Sequence, residues 1–348
     1  MGLSRNTRID SIKFVLIAFV ILGHMLDYSF HVGLSAKVHT FIYSFHMPAF
    51  ILISGYLFKK KERKSFWKGI GQLAITYCFF QILYFGSPML YETDVCGKLI
   101  GGGYNALTQS GLHNNITRFY MPSSVLWFIV ALAFWRIFTQ YLPDRFLQKT
   151  SLSIPLSIIV ATLVSFIPLG HEFAFQRTFA FYPYFLFGYC MKNHKVVENY
   201  LASPLWIHLT IILFYAIAVF FVPHIPLSML EEFHSYHDIK MMPILRIISY
   251  AWMLPLALAV IRTIPNVKIF AKYGRQTMFF FIYHVYFVYF AHRLVYDCGW
   301  PSTFPYLLGY TFVSVVFLAI LTKSRILNAL VKPALFTKNA DGTESPSP

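Results

Sequence analysis

Apolar residues fill most of the chain in stretches of membrane-spanning length, separated by short polar or basic segments. A helix needs about 20 consecutive apolar residues to cross a bilayer, and several stretches reach that length. The pattern predicts an all-α, polytopic integral membrane protein with about ten transmembrane helices. The candidate spans lie at about 9–27, 38–58, 66–86, 124–141, 151–168, 178–191, 204–222, 244–262, 276–297 and 303–322.

The composition agrees with this pattern. Hydrophobic residues make up 57% of the 348 residues, charged residues only 12%, and the mean hydropathy is +0.57. A water-soluble domain does not carry such an apolar surplus. We expect one membrane domain over residues 5–330, a disordered cytoplasmic tail over 338–348, and a multi-pass location in the cell (inner or plasma) membrane, with the lipid bilayer as a partner.

The formal net charge of +15 raises the question of a nucleic-acid partner. The distribution of the basic residues argues against one, because twenty of the 29 Lys and Arg residues fall on one side of the predicted membrane. Six of them lie between Lys59 and Lys68 alone. Cytoplasmic loops carry such an excess of positive charge. The pattern predicts cytoplasmic N- and C-termini and no nucleic-acid partner.

Ionisable residues in the first candidate span draw attention, because such groups are costly inside hydrocarbon and usually mark a functional site. At about 100° per residue, Lys13, His24 and Asp27 share one helix face. Roughly 16 Å separate Lys13 from His24 along the axis. The structural alternatives are a snorkelling Lys13 paired with Asp10, and an interhelical hydrogen bond for His24.

The second span returns toward the first with further candidates. In an antiparallel hairpin His46 reaches about the depth of His24, while Ser54, Gly55 and Tyr56 approach the depth of Lys13. Small residues also let helices pack closely, and a histidine near Pro48 can cap a kink. These structural roles stay open beside a role in a site.

Three later residues also suit a polar site within the membrane. Trp127 and Tyr182 could bind a sugar by stacking or hydrogen bonding, and His284 lies in the middle of the ninth span. In a chain with 19% aromatic residues, packing and lipid contact are favoured over sugar binding for Trp127 and Tyr182. The four cysteines lack metal-ligand spacing, and no metal is expected. Cys96 and Cys298 both fall on the outer side, where a disulfide is possible, but unpaired thiols are favoured.

The motifs of the first two spans resemble those of the membrane-bound type 3 acyltransferase family. They are a basic residue eleven positions before the histidine of a Gly-His pair, then F-H-M-P-x-F at 45–50 and S-G-Y at 54–56. The polysaccharide O-acetylase branch, which includes fucose 4-O-acetylase-like proteins, is most similar. Weaker matches follow at 126–128, 185–189 and 282–284, so the resemblance covers essentially the whole chain. The family usually has arginine where this chain has Lys13, which keeps the charge but loses the bidentate fork.

The resemblance implies transfer of an acetyl or other short acyl group from cytoplasmic acyl-CoA, with acetyl-CoA the expected donor, to a hydroxyl of a cell-envelope glycan or glycolipid. His24 would act as general base or as nucleophile, with Asp27 orienting its ring. Lys13 with Ser54, Gly55 and Tyr56 would meet the donor. The remaining candidates, on the acceptor side, are His46, Trp127, Tyr182 and His284.

A second function class competes with the acyltransferase. Intramembrane His and Asp residues also serve proton relays, so His24 and Asp27 suit a transporter or flippase for a glycan precursor or small solute. Transporters often have matched halves with broken helices at corresponding positions. No such symmetry is visible in this chain, which favours acyl transfer.

Overall fold

The computed structural model describes residues 6–27, 33–86, 120–164, 166–167, 172–192, 196–221 and 242–331. Within these ranges every regular element is a helix. Short 3₁₀ turns at Ser124–Leu126 and Glu172–Ala174 precede α5 and α8. The helices are α1 (Thr7–Leu26), α2 (Gly33–Tyr43), α3 (His46–Leu57), α4 (Arg63–Gly86), α5 (Trp127–Tyr141), α6 (Asp144–Gln148), α7 (Thr150–Val164), α8 (Phe175–Met191), α9 (Val196–Ala202), α10 (Leu205–Phe221), α11 (Met242–Thr263), α12 (Lys268–Gly274), α13 (Thr277–Cys298), α14 (Phe304–Leu321) and α15 (Arg325–Val331).

Each of the ten predicted spans contains a helix. Among the described residues, six segments are long and apolar enough to cross a bilayer by length and composition. The other four predicted spans contain α4, α8 and the shorter apolar helices α7 and α10. The prediction of an all-α, polytopic membrane protein is therefore confirmed. The six segments are Thr7–Leu26, Gly33–Leu57, Ser124–Tyr141, Ile244–Thr263, Thr277–Cys298 and Phe304–Leu321.

Hydrogen bonds at both ends of helix α1 explain where it begins and where it ends. The side chain of Asn6 accepts hydrogen bonds from the backbone N–H groups of Arg8 and Ile9, which otherwise have no intrahelical partner. At the other end the N–H of Asp27 donates to the carbonyl of Gly23, 3.1 Å away. Asp27 therefore follows the last turn of α1 directly, close to His24.

The second span consists of two helices, α2 and α3, with a break at Ser44–Phe45. Phe45 has φ −141° and ψ −27°, outside the helical region. Pro48 lies in the first turn of α3, where its missing N–H interrupts no helical hydrogen bond. The sequence allowed a kink near Pro48, and the structure places the break in the two residues before His46.

Three glycines allow helices to touch backbone to backbone. A Cβ at Gly55 of α3 would lie 2.0 Å from the carbonyl oxygen of Phe185 in α8, and one at Gly188 would lie 2.0 Å from that of Leu52. Likewise, a Cβ at Gly274 would lie 1.7 Å from the carbonyl oxygen of Asp10. These contacts fix α3 against α8, and α1 against the end of α12.

A large buried cluster joins side chains of helices between α1 and α15 and includes the fully buried rings of Trp135, Phe185 and Phe280. The proposed domain limits of 5–330 stay a prediction, and the tail at 338–348 lies outside the described residues.

Cys78 and Cys190 have free thiols, as expected. The expectation of an unpaired thiol is wrong for Cys298, which is disulfide-bonded at the end of α13. Cys96 lies outside the described residues.

Candidate active site

His24 and Asp27 form a hydrogen-bonded pair at the end of α1. Nδ1 of His24 lies 2.8 Å from Oδ2 of Asp27, and both side chains are 30% exposed. An ionised carboxylate only accepts, so Nδ1 carries the hydrogen. In the neutral ring the lone pair is then on Nε2, which has no hydrogen-bond partner among the described residues. The pair thus presents a basic nitrogen to the space around it.

The second carboxylate oxygen of Asp27 contacts helix α2. Oδ1 lies 2.7 Å from Nε2 of His39 and accepts a hydrogen bond of 2.5 Å from the hydroxyl of Tyr43. His39 and Tyr43 are four residues apart, so they share one face of α2. Hydrogen bonds to a carboxylate favour its charged form. Asp27 is therefore an anion placed between two imidazoles.

His46 begins α3 immediately beside this group. Its Nδ1 donates to the carbonyl of Ile42, 2.9 Å away, and its ring centroid lies 4.6 Å from that of Tyr43. The side chain is buried. Because Nδ1 carries the hydrogen, neutral His46 also has its lone pair on Nε2. His46 therefore caps the break in the second span and adjoins the site, so both interpretations of the sequence fit it.

His284 of α13 completes the histidine cluster. Its ring stacks on that of His24, with centroids 5.5 Å apart and planes inclined by 27°. Nδ1 donates to the carbonyl of Phe280, 3.0 Å away. The side chain is fully buried, and its Nε2 has no hydrogen-bond partner in the described part of the chain. A buried acceptor of this kind is costly unless something donates to it.

The arrangement of these side chains is not that of a metal site. Across the described ranges, no group of three or more His, Cys, Asp or Glu residues could hold a metal ion. A fifth histidine, His292, contacts the end of α1 through its Nε2, which lies 3.4 Å from the carbonyl oxygen of Met25. The chemistry available here is proton transfer or nucleophilic attack by imidazole.

Lys13 lies three turns before His24 on the same helix and forms an ion pair. Its Nζ is 2.8 Å from Oδ1 of Asp10, whose Oδ2 is 3.8 Å from Nε of Arg275. The Asp10 side chain is buried, and its backbone carbonyl lies against Gly274 at the end of α12. The sequence offered this pairing as the structural alternative for Lys13. A contact with a donor substrate stays a prediction.

Ser54, Gly55 and Tyr56 lie farther along α3 than His46. Ser54 is eight residues, or roughly 12 Å, from His46 along the axis. Its hydroxyl donates to the carbonyl of Phe50, 2.9 Å away, and Gly55 is pressed against α8. Tyr56 is half-buried. Close packing therefore explains Gly55, and the donor-binding role of all three residues stays a prediction.

Trp127 and Tyr182 lie in the aromatic packing between α5 and α8. The ring of Trp127 stacks on Phe181, with centroids 5.4 Å apart, and the guanidinium of Arg177 lies 5.1 Å above it. Tyr182 is buried, and its hydroxyl is 3.2 Å from that of Thr139. Aromatic contacts through Phe128 and Phe281 connect Trp127 to His284. In the described part of the chain, no hydrogen bond or ring contact joins Trp127 or Tyr182 to the His24–Asp27 pair. Their role in acceptor binding stays a prediction.

Three residues of the cluster were not predicted from the sequence: His39, Tyr43 and His292. One signal was available, because His39 and Tyr43 have the i, i+4 spacing of a single helix face within an apolar segment. The same reasoning that singled out His24 and Asp27 applies to that pair. His292 carries no such local signal, since its contact is with a residue 267 positions away.

Comparison with known proteins shows to which family the chain belongs. A family model described as an acyltransferase domain matches residues 6–323, nearly the whole chain. The chain belongs to the type 3 acyltransferase family. The nodulation protein NolL of Mesorhizobium japonicum (strain LMG 29417 / CECT 9101 / MAFF 303099) is similar, with 42% identity over 77 residues. That match covers 21% of this chain and only 21% of the relative. No solved structure matches the chain significantly.

The family assignment confirms the resemblance seen in the first two spans. This acyltransferase is a multi-pass membrane protein, and its family membership favours acyl transfer over the transport alternative. The matched region includes all the residues of the histidine cluster.

Proposed function

We propose that this acyltransferase is an O-acyltransferase of the cell (inner or plasma) membrane. It moves an acetyl or other short acyl group from cytoplasmic acyl-CoA to a hydroxyl of a cell-envelope glycan or glycolipid. The observation that carries this proposal is the His24–Asp27 pair, which leaves Nε2 of His24 without a described partner beside the buried Nε2 of His284. Each of these two nitrogens can accept a hydrogen bond from a hydroxyl group.

His24 supplies the proton transfer in this reaction. Its Nε2 accepts the proton of the acceptor hydroxyl while that oxygen bonds to the carbonyl carbon of the thioester. The carbon–sulfur bond then breaks, and Nε2 returns the proton to the leaving sulfur. An ester and the free thiol of CoA result, so protons and electrons balance without a metal.

Asp27 stabilises the imidazolium form of His24 that exists between these two proton transfers. The 2.8 Å contact from Nδ1 to Oδ2 keeps the hydrogen on Nδ1 and the ring in one orientation. The buried Nε2 of His284 accepts a hydrogen bond from a neighbouring hydroxyl on the acceptor. This contact removes the cost of leaving that nitrogen unpaired.

The anionic end of the donor binds at the predicted cytoplasmic side in this proposal. Lys59 and Lys192 follow the ends of α3 and α8, which lie close together, since the ring centroids of Phe58 and Tyr189 are 6.1 Å apart. Burial and the neighbouring Lys59 lower the pKa of Lys192. Lys60 is already engaged, with its Nζ 2.6 Å from Oδ1 of Asp144. Lysine acts as a point-charge ligand for phosphate. Lys59 and Lys192 are therefore added to Lys13 as donor-binding candidates.

Acetyl-CoA hydrolysis by the purified full-length protein, with water in place of the acceptor, tests this proposal. We expect slow hydrolysis by the wild type and a loss of at least about 10²-fold in His24→Gln, since glutamine keeps hydrogen bonding but not basicity. The matched control is His208→Gln. His208 is a buried histidine of α10 that hydrogen-bonds to Ser203, 2.7 Å away, outside the cluster.

Two outcomes would contradict the proposal. One is a wild-type protein that neither binds nor hydrolyses acetyl-CoA, and the other is near-normal hydrolysis by a well-folded His24→Gln protein. Rapid quench with radiolabelled acetyl-CoA separates the two possible roles of His24. An acetyl group trapped on the imidazole would replace the base mechanism by a nucleophilic one.

A further inference from the structure

The carboxylate of Asp27 is held from two helices at once. Oδ2 faces His24 on its own helix, while Oδ1 receives His39 and Tyr43 from α2. The rings of His39 and Tyr43 also contact each other, with centroids 4.0 Å apart. The hydroxyl of Tyr43 lies 3.4 Å from Nδ1 of His24, so the two helices meet around this one side chain.

We propose that His39 and Tyr43 are positioning residues of the active site, acting on His24 through Asp27. An aspartate side chain rotates about two bonds, and either oxygen can face a neighbour. Two donors on Oδ1 restrict that rotation and leave Oδ2 directed at Nδ1 of His24. Restricting the carboxylate also selects the tautomer of His24, because the nitrogen that faces a carboxylate carries the hydrogen.

The sequence positions of these residues support a dedicated role. His39 and Tyr43 are four residues apart, so a single helical face presents both donors to one carboxylate. Tyr43 is the last residue of α2, and the break that follows brings the ring of His46 to a centroid distance of 4.6 Å from that of Tyr43. The interruption of the second span thus places a further imidazole beside the two donors of Asp27.

This inference rests on the proposed function for its effect on rate, but its structural effect can be measured without activity. The ¹⁵N spectrum of histidine-labelled full-length protein in detergent micelles reports which ring nitrogen carries the hydrogen. Signals of His24 are assigned by their loss in His24→Gln. At a pH at which the ring is neutral, we expect the wild type to show the Nδ1–H tautomer.

Three variants test the role of the α2 donors. We expect the double variant Tyr43→Phe/His39→Leu to show the Nε2–H tautomer of His24 as well, because the carboxylate is no longer restrained. His39→Gln keeps an N–H donor and should retain the wild-type tautomer. Tyr200→Phe is the matched control, since Tyr200 donates to the carbonyl of Leu258, away from the cluster.

The rate of acetyl-CoA hydrolysis gives the second measurement. We expect kcat to fall by roughly 10- to 100-fold in the double variant with little change in KM, which is typical of residues that orient a catalytic group. A double variant with the wild-type tautomer would overturn the inference and leave the two residues as packing. A wild-type protein with the Nδ1–H tautomer but no activity would instead refute the proposed function alone.

Discussion

The rings of His24 and His284 stack with their centroids 5.5 Å apart, although the two residues are 260 positions apart in the chain. His24 is partly exposed and hydrogen-bonded to Asp27, whereas His284 is fully buried with Nε2 unpaired among the described residues. In both rings Nε2 lacks a partner among the described residues, but that of His284 is buried away from water, where an unpaired acceptor costs stability. This asymmetry predicts that His284 contributes to activity more than to stability.

His284→Phe tests that prediction. Phenylalanine keeps a ring in the buried position and removes the unpaired acceptor, so we expect an unchanged or higher Tm. We also expect acetyl-CoA hydrolysis to fall by about 10-fold, because the attacking water loses a hydrogen bond that contributes roughly 1–1.5 kcal/mol. Thermal unfolding and steady-state rates measure the two effects. A strong loss of stability with normal specific activity would show a structural histidine instead.

Lys13 is expected to serve both the fold and the donor, and a double variant separates these roles. Lys13→Ala should lower the Tm, because it leaves the buried Asp10 carboxylate without its 2.8 Å partner. Adding Asp10→Asn should recover part of that stability, because it removes a buried charge that has lost its 2.8 Å partner and keeps the more distant Arg275 at 3.8 Å. If Lys13 contacts the donor, the double variant still has a raised KM for acetyl-CoA, while Lys13→Arg keeps a low one. A normal KM in the stable double variant would limit Lys13 to the ion pair.

The cation pair at the ends of α3 and α8 leads to a prediction about donor affinity. Lys59→Gln/Lys192→Gln should raise KM for acetyl-CoA several-fold with little change in kcat, because both charges attract the phosphates in ground state and transition state alike. Added salt should reduce the difference between variant and wild type. Lys323→Gln, an exposed cation in the link from α14 to α15, is the matched control. An unchanged KM would contradict phosphate binding at this place.

The crossing of α3 and α8 leads to a prediction about stability. Gly55→Ala or Gly188→Ala should destabilise the protein by about 1–3 kcal/mol, because each new Cβ would lie 2.0 Å from a backbone carbonyl oxygen. Gly309→Ala in α14 is the control, since a Cβ at that position would have no neighbour within 4 Å and alanine favours helix. Thermal unfolding in detergent compares the three. Equal stability of all three variants would show that the two backbones at the crossing can move apart at little cost.

The orientation in the membrane is predicted from charge and can be tested by labelling. In a background without reactive thiols, Lys61→Cys should react with an impermeant maleimide only from the cytoplasmic side, because its segment carries six basic residues. Ser302→Cys, in the link between α13 and α14, should react only from outside. Labelling of position 61 from outside would reverse the orientation and the side from which the donor is expected.

The amino-acid sequence by itself determined where the helices lie. A segment inside a bilayer has to satisfy its backbone hydrogen bonds internally, so a long apolar run specifies a helix whatever surrounds it. Periodicity then determined which residues share a face of one helix, as it did for Lys13, His24 and Asp27. The family motifs lie in these same segments, which is why acyl transfer could be predicted from them.

Only the tertiary structure decided which faces meet. His39 and Tyr43 reach Asp27 because α2 packs beside α1, and His284 reaches His24 because α13 packs beside α1. Gly55 was a candidate donor contact by sequence, but in the fold it lies against the backbone of α8. Apolar side chains dominate nearly every helix surface in this chain, so periodicity carries little information about partners. The choice of neighbour depends on shape, at places where a missing Cβ or a broken helix lets two backbones approach.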